Sequence, residues 1–260
     1  MPFTFAHPAA IVPLARIFRG PYAVSALVVG SMAPDFEYFL RLRPVDDIGH
    51  SVAGLLVFCL PVGLLVLGLF HWLVKQPAIL LLPQPLHRRL YVAATARPAI
   101  SAPYAFGLAV LVVVAAATHL VWDSFTHQGG WVVQRVPTLS TTVVTVAGID
   151  VRTYKLLQHS STLAGLGILV WVATRWVRRQ PPTATVISLP APVRRAVVGA
   201  IISVSLGCGF LAGVSVGQMR IGVVRFVVVA IAGFATSLLA YSLIYRGYCA
   251  SFACPSDAPN

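Results

Sequence analysis

The stretch PYAFGLAVLVVVAAATHLVWDSFTH, residues 103–127, decides the architecture. From Pro103 to Thr118 it carries no charged side chain, and then His119, Asp123 and His127 follow at four-residue steps. About 20 mostly apolar residues suffice to cross the hydrocarbon of a bilayer, so this run reads as a membrane-spanning helix that ends in ionisable groups. On a helix each four-residue step turns about 400°, so the three side chains share one face. They rise about 12 Å in all, far more than two Zn–N bonds of about 2.0–2.1 Å permit. Three arrangements remain open: Asp123 bridges two ions, one histidine stands behind the other, or the helix breaks before His127.

Outward from this run, the stretches 52–74, 160–177, 196–217 and 226–245 have the same length and character. Hydrophobic residues make up 58% of the 260, charged residues only 10%, and mean hydropathy is +0.84; soluble domains carry roughly 25% charged residues. Backbone groups in hydrocarbon are satisfied within the segment, and runs of this length are helices rather than the alternating strands of a barrel. The expected fold is all-α, an integral membrane bundle of five spanning helices. Two shorter apolar segments, 7–18 and 22–33, meet at Arg19-Gly20-Pro21, a turn signal, and read as an N-terminal helical hairpin; a competing reading makes 21–40 a sixth span. The hairpin would place His7 and Asp35 in one mouth.

The net charge of +12 does not imply nucleic acid, because the basic residues are spread between spans rather than gathered in one patch. Ten of them fall in the connection 75–102, in 175–195 and after the last span, against seven on the opposite side. Loops rich in Lys and Arg face the cytoplasm, which orients the chain in the cytoplasmic membrane. The Pro-rich connection 75–102 is expected either along the membrane surface, against anionic lipid head groups, or as an ordinary positively charged cytoplasmic loop. Four regions follow: a domain at 1–177, a Pro- and Arg-rich linker at 178–195, two spans at 196–246, and a disordered tail at 247–260. The opening MPFTFAHPAA lacks the basic start of a cleavable signal peptide. Cys59 and Cys208 lie in apolar runs and Cys249 and Cys254 in the tail, so all four are expected to be free thiols.

Alternating spans bring the ends carrying His50, His119 with Asp123 and His127, and His159 to one face, the non-cytoplasmic one, and the hairpin adds His7 and Asp35. Each residue has an ordinary structural reading: His50 and His159 precede serines that can cap helices, Asp35 follows Pro34, and Glu37 can be solvated. Together they read as a metal site, because an ionisable pair such as His119 and Asp123 at the edge of a charge-free helix is costly without partners. Imidazole with carboxylate and no thiolate suits a divalent metal, zinc first. The chemistry is hydrolysis at the membrane surface, with Asp35 or Glu37 accepting a proton.

The segments MPFTFAHPAAIVPL, SALVVGSMAPDFEYF, GHSVAGLL and THLVWDSFTHQGGW resemble an uncharacterised bacterial family of multi-pass membrane proteins, classed as a domain of unknown function. That family is similar to the predicted membrane-bound metal-dependent hydrolases, whose signature is an early His, Pro-Asp-x-Asp, His-Ser and His-x-x-x-Asp. The resemblance implies His7, Asp35, His50 with Ser51, and His119 with Asp123 as ligands, and a layout similar to zinc-dependent phospholipase C enzymes. It covers mainly 1–60 and 115–165. Glu37 stands where Asp is usual, and the Arg that would precede His50 is missing. The expected function is a membrane-embedded metal-dependent hydrolase of a phosphoester or lipid-linked substrate. The alternatives are a transporter relaying protons or ions through His119, Asp123 and His159, and a non-catalytic scaffold.

Overall fold

A computed structural model describes residues 3–18, 20–45, 47–97, 99–146, 148–184 and 188–252, less the side chains of Ile149, Arg220 and Phe252. Arg19 of the expected turn and Cys254 of the expected tail lie outside them. The described residues are mostly helical, with one two-stranded antiparallel sheet among them, β1 (Thr142–Val146) and β2 (Ile149–Arg152). Among the described residues five helices are long and apolar enough to cross a membrane, at Leu55–Leu80, Ala102–Arg135, Thr153–Arg179, Ala191–Val214 and Ile221–Ser251, which makes this a multi-pass membrane protein.

The long helices are, in chain order, α1 (Ala23–Met32), α2 (Leu55–Leu80), α3 (Gln84–Thr95), α4 (Ala102–Thr126), α5 (Thr153–Arg179), α6 (Ala191–Val214) and α7 (Met219–Phe252). Helices α2, α5 and α7 run past the apolar stretches 52–74, 160–177 and 226–245, because the polar residues beyond them continue the backbone ladder. Thus α7 continues through Phe252, past the Arg246 at which a disordered tail was expected. The segment 21–40 is not one spanning helix: a 3₁₀ turn at Ala33–Asp35, around Pro34, follows α1, and a short helix at Phe36–Arg41 completes it. Proline lacks the N–H that a continuous ladder needs there. Cys59 and Cys208 are free thiols, whereas Cys249 is disulfide-bonded rather than free.

Two compact units make up the chain, each assembled from three separate stretches: Met1–Phe36, Asp46–Leu65 and Ala99–Thr174 form one, and Glu37–Val45, Val66–Pro98 and Arg175–Asn260 the other. In the first, α1 lies on α4. Small residues allow the approach: Ala26, Ala33, Ala115 and Ala116 are fully buried, and a Cβ on Gly30 would collide with the Val112 carbonyl. Ala33, Cys59 and Ala116 form a core edged by Phe36, Leu55 and Phe58. Upstream, Thr4–Ala9 is a 3₁₀ turn whose Ala6 carbonyl abuts Gly165 of α5.

In the second unit α6 and α7 pack through Gly209, Gly213 and Gly222, with Ser205 Oγ donating to the Ala230 carbonyl at 2.6 Å. Helix α3 is bound to the chain after α5 by two arginines: Arg88 Nε donates to the Thr183 carbonyl at 2.8 Å and Arg89 to that of Gln180 at 2.7 Å.

Overpacking a close helix crossing costs about 1–3 kcal/mol or more. Gly30→Val is therefore expected to lower the thermal unfolding midpoint of the detergent-solubilised protein, while Gly107→Ala, whose added methyl meets open space, leaves it unchanged or higher.

Candidate metal centre

Four chain segments of the first unit deliver the ionisable side chains. His7 stands in the Thr4–Ala9 turn, Asp35 ends the Ala33–Asp35 turn, His50 precedes α2, and α4 carries His119 and Asp123. The loop to α2 is fixed by its own polar groups. Ser51 Oγ accepts from Gly54 N–H at 2.9 Å and donates to the Ile48 carbonyl; it ties the turn ahead of α2 rather than capping it, since the N-cap is Gly54 and has no side-chain cap. Gly49 lies so close to Pro34 that a Cβ would strike the Pro34 carbonyl, and Cys59 Sγ donates to the Gly49 carbonyl at 3.4 Å. These contacts set His50 beside Asp35.

His50 Nε2 is 3.3 Å from Asp35 Oδ1 and 3.5 Å from Asp123 Oδ2. His119 Nε2 is 3.6 Å from the same Asp35 oxygen and 3.3 Å from the same Asp123 oxygen. Two nitrogens and two oxygens thus alternate around a ring. Ligand bonds of about 2.0–2.1 Å in a tetrahedral site put neighbouring ligand atoms about 3.3 Å apart, close to all four edges. Asp123 Oδ1 turns the other way, 3.6 Å from His7 Nε2 and 3.5 Å from His127 Nδ1.

These atoms fit a cation better than they fit one another. Among the described residues, the buried His7 Nε2, both Asp35 oxygens, His119 Nε2 and Asp123 Oδ1 make no hydrogen bond, although buried polar groups are nearly always satisfied. Two triads have ligand atoms mutually within 4.8 Å and can hold a metal ion: His7, His119 and Asp123, and Asp35, His50 and His119. They share His119 Nε2, whose single lone pair serves one ion, so the geometry is that of one centre.

Secondary contacts orient the ligands. His119 Nδ1 lies 2.7 Å from the Ser31 carbonyl of α1; the bond requires the proton on Nδ1 and leaves Nε2 as a lone pair facing the carboxylates. His7 stacks on His119 with ring centroids 3.5 Å apart and planes at 11°. Burial, with the adjoining His119 second, pushes His7 down to about 3, so it is a neutral donor. Burial works on His50 in the same direction, but Asp123 and Asp35 outweigh it and raise His50 to about 9. The two carboxylates therefore favour positive charge beside His50.

Helix α4 ends at Thr126 and His127 takes extended backbone angles, so the helix does end before His127, yet His127 does not thereby join either triad. His127 Nδ1 is 3.1 Å from the Asp123 backbone carbonyl. It borders the centre and belongs to neither triad. His159 is an exposed residue inside α5, also outside both; its neighbour Gln158 is buried. Glu37, buried in the second unit, pairs with Arg41 at 2.8 Å. Sequence reasoning did not single out Ser31, because its part is played by a backbone carbonyl, which leaves no trace in residue type.

Helices of this length and a buried histidine–carboxylate centre define a multi-pass membrane protein with a site able to hold a metal. The profile of a domain of unknown function, DUF4184, matches residues 1–243, and the chain belongs to that family. No curated protein and no solved structure matches the chain.

Purified in mild detergent and titrated with zinc, the protein is expected to take up one equivalent, read by elemental analysis. Asp123→Ala lowers the affinity at least tenfold, and His159→Ala leaves it unchanged.

Proposed function

We propose that this protein is a membrane-embedded metal-dependent hydrolase that cleaves a phosphoester or other lipid-linked substrate at the membrane surface, with zinc as its metal and its centre on the non-cytoplasmic side. The observation that carries the reading is the ring of His50, Asp35, His119 and Asp123, whose ligand atoms keep ligand-like separations of 3.3–3.6 Å. A donor set of imidazoles and carboxylates without thiolate suits zinc. Zinc held there would act as a Lewis acid, polarising a phosphoryl oxygen and making water a nucleophile near neutral pH.

The chain's own groups account for access and proton handling. Side-chain exposure is 13% at His50, 11% at Asp123 and 28% at His127, against 0% at Asp35 and His119. Substrate therefore approaches past His50 and His127. Asp35 holds one oxygen in the ring, and its other, Oδ2, is buried without a hydrogen bond, which suits it to receive a proton from the attacking water. Glu37 is the weaker choice, since Arg41 already engages its carboxylate. His7, neutral and stacked, backs His119 and completes the donor set. Resemblance to the predicted membrane-bound hydrolases supports the same assignment of His7, Asp35, His50, His119 and Asp123, and the Lys- and Arg-rich connections support the orientation.

Protein reconstituted in phospholipid vesicles is expected to release a water-soluble phosphate-bearing product, to stop when a chelator is added and to resume with zinc. Asp35→Asn lowers turnover by about 10²–10⁴-fold, the range of a lost general base. Stoichiometric zinc with no product from phospholipids or from soluble phosphodiesters would leave the metal site standing and sink the hydrolase.

A further inference from the structure

The first unit is electrically neutral, with five Lys and Arg against five Asp and Glu, while the second holds fourteen against two. Of the five acids in the first, Asp35 and Asp123 are enclosed by histidines and Asp150 accepts from Thr145 Oγ1 at 2.7 Å. Among the described residues no carboxylate pairs with Lys155, the third residue of α5. Its ammonium donates instead to the amide oxygen Oε1 of Gln158 at 2.8 Å and stands 5.6 Å from the centre of the Tyr154 ring, within the range of a cation–π contact. Helix electrostatics disfavour a lysine there, because the N-terminal end carries partial positive charge and attracts anions; the first turn of α5 holds no acidic residue.

Gln158 completes the pattern. It is 1% exposed, and among the described residues its Nε2 makes no hydrogen bond, although buried polar groups are nearly always satisfied. Lys155 fixes which end of the amide is oxygen, so the end left over is the N–H donor. An ammonium at the oxygen also polarises those N–H bonds. Two donors of positive character thus stand side by side, one buried and one half-buried. A phosphate oxygen is the charge-assisted acceptor that suits both.

Hydrogen bonds tie this pair to the elements of the metal centre. The Gln158 backbone carbonyl accepts from Ser161 Oγ at 3.1 Å and from Thr162 Oγ1 at 2.8 Å. Those hydroxyls in turn accept from Trp122 Nε1 at 3.3 Å and from the Phe3 N–H at 3.2 Å. Trp122 precedes Asp123 in α4, and Phe3 leads into the turn that carries His7. Further along α5 the Ala6 carbonyl of that turn abuts Gly165, which shares a helix face with Gln158, since seven residues turn about 700°. Three residues rise about 4.5 Å, so Gln158 is held within one helical turn of the level at which Trp122 meets α5.

We propose that Gln158, oriented by Lys155, is a substrate-binding residue whose amide donates to a phosphoryl oxygen of a phosphoester, with the Lys155 ammonium balancing its charge. That the phosphoester is a substrate rests on the hydrolase reading; the anion-binding pair itself does not.

The test titrates the full-length, zinc-loaded protein in mild detergent with dimethyl phosphate, a soluble phosphodiester anion, and with inorganic phosphate, reading binding by calorimetry and zinc by elemental analysis. The wild type is expected to bind dimethyl phosphate. Gln158→Met, which keeps the volume and removes the donor, weakens that binding at least about tenfold, the weight of one hydrogen bond to a charged group, and leaves zinc content unchanged. Gln158→Glu guards against a folding defect: its carboxylate pairs with Lys155 and repels the anion, so binding falls at least as far. Arg135→Gln, at an exposed arginine of the same unit stacked over Trp131, binds as the wild type does. Absence of binding in the wild type, undiminished binding in both Gln158 variants, an equal loss in Arg135→Gln, or loss of zinc together with the phosphodiester overturns the assignment. Inorganic phosphate bound at least tenfold more tightly than dimethyl phosphate, with the same dependence on Gln158, assigns the pair to free phosphate and overturns the substrate role. Product release separates the two proposals: hydrolysis with unchanged binding in the variants sinks the Gln158 site alone, and Gln158-dependent binding without hydrolysis sinks the hydrolase alone.

Discussion

Two carboxylates, Asp35 and Asp123, are enclosed in a bundle that otherwise excludes charge, at 0% and 11% side-chain exposure, and the first unit is organised by what they require. Removing a carboxylate from water carries a penalty of several kcal/mol unless opposite charge and donors surround it. Here imidazoles surround both: His50 and His119 touch both aspartates, and His7 and His127 approach Asp123 from its other side. The separations are long for hydrogen bonds and suited to ligands around an ion. A cation held at this point would couple folding of the N-terminal turn, α1, the loop before α2 and α4 to occupancy of one centre.

That convergence needs close backbones. The alanines and Gly30 between α1 and α4 let Ser31 reach His119, and Gly49 lets the loop before α2 rest on Pro34. Small residues at helix contacts are the usual solution in membranes, where apolar side chains gain little by leaving lipid for one another. The same logic recurs between α6 and α7, where glycines meet and a serine bonds across. There the contact joins packing to that one hydrogen bond.

The second unit handles charge differently. Its arginines bond to backbone carbonyls: Arg88 and Arg89 hold the chain after α5 against α3, and Arg97 and Arg246 hold the π-helical turn of α2. Carbonyls at helix ends and wide turns lack intrahelical partners, so guanidiniums satisfy them while keeping their charge. A neutral unit with a compact acidic and histidine-rich centre and a unit carrying all the net positive charge are thus joined in one chain.

Residue type and periodicity alone determined the number of spanning helices, because hydrocarbon thickness sets a length that composition must meet. They also marked His7, Asp35, His50, His119 and Asp123, since ionisable groups in an apolar chain are too costly to be incidental. Span ends, the break of the 21–40 segment at Pro34 and the extension of α7 past Arg246 were less legible, because helices continue through polar residues that hydropathy assigns to loops. Tertiary structure decided which histidines meet: His159, one helix turn from Thr162, which binds the N-terminal turn through the Phe3 N–H, points outward, and His127 steps off the helix that spacing alone would continue. Rotation of a helix about its axis and the φ and ψ of its last residue are set by packing against neighbours, and no one-dimensional pattern carries that information.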